Sequence, residues 1–188
     1  VTHADIGRVF PDVIWHTEIP VMRTSPAPMF LLSELVRRNN YKVVLTGEGA
    51  DEFLGGYNIF KEAMIRRFWA RQPESALRPL LLQRLYPYIG DLGGSGGAYL
   101  AAFFKQGLEQ VDAPDYSHAL RWHNTGRAKR FFSSELRGQI AARQTEIAPV
   151  PYPPGFAEWG MLQRAQYLEI TIFMSQYLLS SQGDRVAM

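Results

Sequence analysis

The most constraining feature of this chain is a short apolar run that leads directly into glycines and carboxylates. Residues Tyr41–Leu45 are Tyr-Lys-Val-Val-Leu, and residues Thr46–Glu52 are Thr-Gly-Glu-Gly-Ala-Asp-Glu. A near-continuous apolar run of this length predicts a strand that is buried on both faces of a parallel sheet. In open α/β sheets, ligands bind at the carboxyl ends of the strands. The sequence therefore predicts a ligand site directly after Leu45.

The residues before this run predict a strand and then a helix. Asp12–Ile19 is short, rich in β-branched and aromatic residues and closed by Pro20, which is typical of a strand. Met29–Arg38 places its apolar residues at helical spacing after a proline-rich start, which favours a helix. Strand, helix and strand together predict an α/β unit with a right-handed crossover.

The chain changes character after Tyr57, because every later periodic segment has helical spacing. The predicted helices are Asn58–Arg71, Ser75–Tyr86, Ala98–Leu108, Ser117–Phe132, Ser133–Gln144 and Phe156–Ser181. The last of these is amphipathic, and its core stripe comprises Met161, Ala165, Leu168, Ile172 and Leu179. We therefore expect an α/β fold that is mostly helical, with an α/β part over residues 1–57 and a helical part over residues 58–188.

Two segments of the helical part predict irregular structure. Gly90–Gly97 holds five glycines in eight residues, which predicts a flexible loop. A phosphate-binding loop is disfavoured there, because no strand precedes the glycines and no Lys-Ser or Lys-Thr pair follows them. The prolines of Ala148–Gly155 predict an extended linker.

Composition narrows the classes of protein to consider. At 188 residues, 46% hydrophobic and 20% charged, the chain is typical of one globular domain. It has no cysteine, which excludes disulfides, thiolate metal sites and a cysteine nucleophile within it. With no signal-like start and no apolar run near the roughly 20 residues that span a bilayer, we expect a cytoplasmic protein without membrane contact.

Basic residues are unevenly distributed, although the formal net charge is only +2. They form two groups, Lys61, Arg66, Arg67, Arg71, Arg78 and Arg84, and then Arg121, Arg127, Lys129, Arg130, Arg137 and Arg143. Acidic and apolar residues are interspersed among them, so the pattern favours solvated helix faces over a nucleic-acid interface. The four histidines have no spacing that indicates a metal site.

Three carboxylates emerge from the glycine-rich turn after Leu45, at Glu48, Asp51 and Glu52. One interpretation is structural, with Asp51 as a helix cap and Glu52 stabilised by the helix dipole. The other is chemical, because Mg²⁺ is commonly held by one or two carboxylates together with substrate phosphates. Asp51 suits that role, and Glu48 is then available for proton transfer.

The stretch Val43–Tyr57 resembles the "LSGEGADELFGGY" signature of asparagine synthetases almost residue for residue. Pro20–Met29 is similar to the loop before the next helix in that family, and Gly183–Met188 resembles the start of its "DRxSMxxSxExRxPFLD" segment. The family's "SGGxDSS" pyrophosphate loop and its glutaminase domain are not found here. The resemblance implies an internal fragment of the C-terminal synthetase domain, with the PP-loop, Rossmann-like fold of adenine-nucleotide α-hydrolases.

The resemblance also implies a reaction and the residues that serve it. The family forms asparagine from aspartate through β-aspartyl-AMP, with ATP and Mg²⁺ and with ammonia that the glutaminase domain of the same full-length chain releases from glutamine. On that basis Glu48 is the acid/base residue, Asp51 holds Mg²⁺ and Glu52 is structural. The resemblance also assigns contacts with the substrate and ATP to Thr46, Gly47, Gly49 and Arg23. Assembly into a homodimer stays open.

Two alternatives remain at this point. One is a related ATP-adenylating enzyme that forms another amide, such as a β-lactam synthetase, a peptide cyclase or an exosortase-associated amidotransferase. The other is a non-catalytic helical interaction module, in which the acidic turn only caps a helix. On the asparagine synthetase interpretation, we expect the fragment by itself to be inactive.

Overall fold

Helices account for all the regular secondary structure that is described. The structure is a computed structural model and describes residues 1–87, 95–143 and 150–183. The α helices are α1 His3–Thr17, α2 Pro26–Arg38, α3 Ala50–Leu54, α4 Asn58–Ala70, α5 Leu80–Leu85, α6 Ser95–Lys105, α7 Tyr116–Gly126, α8 Ser134–Arg143 and α9 Met161–Leu168. Short 3-10 helices span Leu108–Gln110, Arg127–Phe131 and Phe156–Glu158, and a π helix spans Glu169–Gly183. The prediction of a mostly helical chain is confirmed.

The described residues divide into two compact units, one of residues 1–56 with the C-terminal segment from residue 167, and one of residues 57–166. Three predictions fall partly outside these residues. The glycine-rich loop is described only from residue 95, the extended linker only from residue 150, and the C-terminal resemblance only at Gly183. None of the described helices combines the length and the apolar character needed to cross a membrane.

Helix α1 overturns the predicted strand over Asp12–Ile19. Thr2 and Asp5 form a capping box in which the Thr2 hydroxyl accepts from the Asp5 N–H and the Asp5 carboxylate accepts from the Thr2 N–H. Val9 and Val13 then fall on one buried stripe and pack with Ala27 of α2. The tertiary contacts of this stripe and the cap outweigh the β propensity of the local residues. The prediction of a strand here was wrong.

The predicted strand over Tyr41–Leu45 is also absent. The segment is irregular and exposed, with 95% of the Leu45 surface and 76% of the Val43 surface accessible. A strand requires a neighbouring strand to pair its backbone groups, and the described residues contain no other strand. The strand, helix, strand unit with a right-handed crossover is therefore not formed by these residues. The helix within it is confirmed as α2.

The unit of residues 57–166 contains an aromatic and aliphatic core and a smaller cluster of Ile59, Phe60 and Ala165. Helices α4, α5, α6 and α7 contribute to the core, and its buried residues are Trp69, Leu82, Phe104, Leu108 and Leu120. The predicted helices α4, α6 and α8 are confirmed within a few residues. The helix predicted from Ser75 begins only at Leu80, because the Ser75 hydroxyl accepts backbone N–H groups in a turn before Pro79.

The long helix predicted over Phe156–Ser181 is interrupted. A 3-10 turn ends at Glu158, and α9 begins only after Gly160 and continues directly as the π helix. Of the predicted core stripe, Ala165 and Leu168 are buried. The helix predicted over Ser117–Phe132 likewise divides into α7 and the 3-10 helix that follows it.

Candidate active site

The acidic segment forms a tight turn followed by the short helix α3. The Ala50 N–H donates to the Gly47 carbonyl at 3.1 Å, which closes the turn. Gly49 precedes the helix with φ +92°, a conformation that glycine adopts at little cost. Gly55 ends the helix with φ +72°, in the manner usual for a helix C-terminus. The glycines thus determine where α3 begins and ends.

This turn separates the three carboxylates. Glu48 and Asp51 are exposed, whereas Glu52 is 1% exposed. The expectation of a structural position for Glu52 agrees with its burial. No side chain caps α3, whose N-cap residue is Gly49, so the interpretation of Asp51 as the cap is wrong. The carboxylates of Glu48 and Asp51 are therefore both at the surface, three residues apart in the sequence.

Asp51 is held against the backbone of Gly56. The Gly56 N–H donates to the Asp51 carbonyl at 2.9 Å. A Cβ added to Gly56 would overlap with Asp51 Oδ1 and lie 2.9 Å from its Cγ. Glycine is therefore required at position 56 for the Asp51 carboxylate to keep its place.

The π helix contacts both the acidic turn and Arg23. The Arg23 guanidinium lies 5.5 Å from the centre of the Phe173 ring, a cation–π distance. Gly49 lies against Met174, whose sulfur would be 3.3 Å from an added Cβ. Adjacent residues of one helix thus contact Arg23 and the turn that carries the carboxylates.

Asp51 is the residue of this turn that could contribute a carboxylate to a bound metal ion. Among the described residues, no three acidic or histidine side chains are placed to hold a metal together. Mg²⁺ in nucleotide enzymes takes one or two carboxylates and completes its shell with phosphates and water. The exposed Asp51 carboxylate, held at Gly56, suits that mode. Thr46 and Gly47 are exposed on the same segment.

Sequence reasoning missed a second polar site, which lies in the unit of residues 57–166. Arg66 was assigned to a solvated helix face, but it is 3% exposed and borders a cavity of about 290 Å³. The sequence did contain an indication that Arg66 is buried, because Ile59, Ala63 and Arg66 follow helical spacing on the buried side of α4.

The comparison with known protein families decides the affiliation. The sequence model described as asparagine synthase matches residues 1–188. The chain belongs to the asparagine synthase family. Among curated relatives, amidase chry2 of Gibberella zeae is 38% identical and amidase chyE of Penicillium rubens 26% identical, each over 95% of this chain and 27% of its own length. Glutamine-hydrolysing asparagine synthetase 1 of Bacillus subtilis is 35% identical over 38% of this chain and 11% of its own length.

These relatives are much longer than the chain. The chain spans about a quarter of the length of the two fungal relatives. No solved structure matches the chain significantly.

Proposed function

We propose that this chain is part of an ATP-dependent asparagine synthetase that uses ammonia derived from glutamine. Membership of the family over residues 1–188 supports this proposal. The observation that carries it is the separation of the carboxylates, with Glu48 and Asp51 exposed and Glu52 buried. No side chain caps α3, so side-chain capping does not account for the carboxylates of its first turn.

The proposed reaction has two steps. An oxygen of the aspartate side-chain carboxylate forms a bond to the α-phosphorus of ATP, and pyrophosphate leaves. Ammonia then attacks the acyl carbon of β-aspartyl-AMP, and AMP leaves as asparagine forms. Glu48 accepts the proton that the attacking nitrogen loses, a role for which an exposed carboxylate on a defined turn is suited.

The other predicted residues bind and position the substrates. Asp51 would hold Mg²⁺, which when bound neutralises charge on the nucleotide phosphates. Arg23 is exposed and contributes a positive charge for the same phosphates. Thr46 and Gly47 offer a hydroxyl and backbone groups. Gly49 would act through its backbone, because the space where a Cβ would lie is next to Met174.

We further propose that Tyr41–Leu45 is a strand of a PP-loop α/β sheet in the longer protein. Its apolar side chains are exposed here, and such a run is typical of a strand covered on both faces. The partner strands and the pyrophosphate loop would come from residues outside this chain. The α/β part over residues 1–57 and the helical part over residues 58–188 then both belong to one synthetase domain.

The test of the proposed function is Glu48→Gln in the intact protein. We expect asparagine formation to fall about 10²–10⁴-fold, the usual contribution of a positioned base. Adenylation should persist, because Glu48 acts only after β-aspartyl-AMP has formed. Aspartate-dependent exchange of pyrophosphate into ATP measures the first step, and chromatography of asparagine measures the whole reaction.

The matched control is Glu34→Gln, which removes the same charge from an exposed glutamate of the same unit. We expect it to leave both rates unchanged. Normal asparagine formation by the Glu48 variant, or an equal loss of both steps, would show that Glu48 is not the proton acceptor.

A second candidate function is the hydrolysis of an amide, by an enzyme that does not form asparagine. Its support is that two relatives, each matched over 95% of this chain, are named amidases. The two candidates differ in their substrates and in the role of ATP. Asparagine formed from aspartate, ATP and glutamine favours the first, whereas amide hydrolysis without ATP, and no asparagine, favours the second.

A further inference from the structure

The π helix carries two neighbouring side chains that contact different parts of the candidate active site. Phe173 lies beside Arg23, and Met174 lies beside Gly49. All four residues belong to the same compact unit of the chain. π helices are rare and are found frequently at functional sites. These two contacts give this one a place beside the residues that the proposed reaction uses.

Phe173 provides a surface for the Arg23 side chain. The Arg23 guanidinium lies 5.5 Å from the centre of the Phe173 ring. None of the ion pairs or hydrogen bonds of the described residues involves this guanidinium. Arg23 is exposed, so without the ring its long side chain would be free to adopt many rotamers. A guanidinium over an aromatic ring keeps the N–H groups at its edge available for a phosphate.

The Phe173 ring is itself supported by a second aromatic ring of the same helix. It stacks with Tyr177, with ring centres 5.5 Å apart and planes inclined by 30°. Both side chains are half-buried. Aromatic pairs at this separation attract each other beyond the area that they bury. Phe173 is therefore a fixed surface, which can restrict Arg23 without occupying its donors.

Met174 contacts the turn that carries Glu48. A Cβ added to Gly49 would lie 3.3 Å from Met174 Sδ and 3.5 Å from Phe53 Cδ2. The Gly49 backbone is thus in contact with side chains of the π helix and of α3. Because Gly49 directly follows Glu48 in the chain, a shift of Gly49 would move the Glu48 carboxylate.

We infer that Phe173 and Met174 are positioning residues, Phe173 for Arg23 and Met174 for Glu48. Phe173 acts by restricting the guanidinium at the phosphates, and Met174 acts by fixing the turn from which the proton acceptor projects. This inference rests on the proposed function, which assigns Arg23 to the nucleotide and Glu48 to proton transfer.

Trypsin digestion of the intact protein tests the role of Phe173 without any measurement of activity. Phe173→Leu removes the ring, so cleavage after Arg23, followed by mass spectrometry, should become about twofold to fivefold faster. Phe173→Tyr keeps the ring and should match the wild type. Cleavage after Arg8 of α1 should stay unchanged and reports on the fold of the same unit. Equal cleavage after Arg23 in wild type and Phe173→Leu, or an equal rise after Arg8, would overturn the role of Phe173.

Kinetics of the intact protein test both positioning roles in the proposed reaction. Phe173→Leu should raise the KM for ATP in pyrophosphate exchange about twofold to fivefold at unchanged kcat. It should have no further effect in an Arg23→Met background, because the two residues act as one unit. Met174→Ala should slow asparagine formation about tenfold and spare pyrophosphate exchange, and Met174→Leu, which nearly keeps the volume, should restore the rate. The control is Gln176→Ala, an exposed position of the same helix, which should change neither rate.

The outcomes separate this inference from the proposed function. If Arg23→Met and Glu48→Gln impair their steps while Phe173→Leu and Met174→Ala do not, only the positioning roles are overturned. Equal losses of both steps in Met174→Ala would also overturn the positioning of Glu48. If Phe173→Leu speeds cleavage after Arg23 while Arg23→Met leaves the KM for ATP unchanged, Phe173 does position Arg23, and the phosphate contact of the proposed function is wrong.

Discussion

The pair formed by Glu62 of α4 and Arg121 of α7 provides the sharpest test of how the helical unit is held together. The guanidinium donates to both carboxylate oxygens, with Nη1 2.6 Å from Oε2 and Nη2 2.7 Å from Oε1. The Glu62 side chain is 2% exposed, whereas that of Arg121 is 40% exposed. Replacing the arginine by methionine, Arg121→Met, would leave a buried carboxylate without its two donors.

The cost can be estimated from this geometry. Breaking a buried ion pair from one side typically costs about 3–5 kcal/mol. The exposed part of Arg121 lets water approach the pair, so we take the lower end, about 3 kcal/mol. For a chain of 188 residues, that loss lowers the melting temperature by about 6–12 °C. Removing both charges with Glu62→Leu and Arg121→Met should recover part of the loss, because no unpaired buried carboxylate then remains, although buried Arg66 loses the favourable charge of Glu62.

Urea unfolding of the wild type, both single variants and the double variant gives the coupling energy directly. The control is Arg38→Met, which breaks the exposed pair with Glu34 on α2 and should cost less than about 0.5 kcal/mol. Equal losses for Arg121→Met and Arg38→Met would refute the argument from burial. So would a double variant as unstable as the sum of the single variants.

Two further predictions concern residues 1–56. Gly56→Ala should displace the exposed Asp51 carboxylate, with which the new Cβ overlaps, and should cost about 0.5–1 kcal/mol in urea unfolding, because that side chain can move. Gly7→Ala is its control, since a Cβ there meets nothing within 4 Å in α1 and should stabilise by about 0.5–1 kcal/mol; equal effects of the two would contradict the packing argument. The hydrogen bond from the Thr2 backbone N–H lowers the pKa of Asp5 below its ordinary value of 3.8, so the capping box should stabilise α1 above that pH and lose its effect as pH falls through the folded-state value. Asp5→Asn should therefore remove the part of the fall in melting temperature at acid pH that comes from this carboxylate. Circular dichroism measures the melting temperature at each pH, and the same pH dependence in wild type and variant would contradict the linkage.

Sequence patterns predicted several helices close to where they lie. Helices α2, α4, α6 and α8 begin and end within three residues of their predicted bounds. The error over Asp12–Ile19 came from weighing β-branched residues above the spacing of Val9 and Val13. The distant cap at Thr2 and the packing partner in α2 were not visible in that short window.

Some features of the candidate active site could be predicted from the sequence, and others are seen only in the structure. The glycines and carboxylates of residues 46–56 could be recognised in the sequence, since their order alone resembles the family signature. Which carboxylate is buried could not be predicted from the order of residues, because it depends on the direction in which α3 leaves the turn. The structure turns Glu52 inward and leaves Glu48 and Asp51 exposed.

By itself, the sequence determined the family, the helical character of most of the chain and the acidic turn, because local spacing and a contiguous motif carry that information. Only the tertiary structure decided which charges are buried. Arg66 and Arg121 look alike in the sequence, yet one is enclosed against three carbonyls and the other reaches Glu62 from the surface. The physical reason is that the cost of a buried charge depends on the groups that surround it, and residues far apart in the sequence supply those groups.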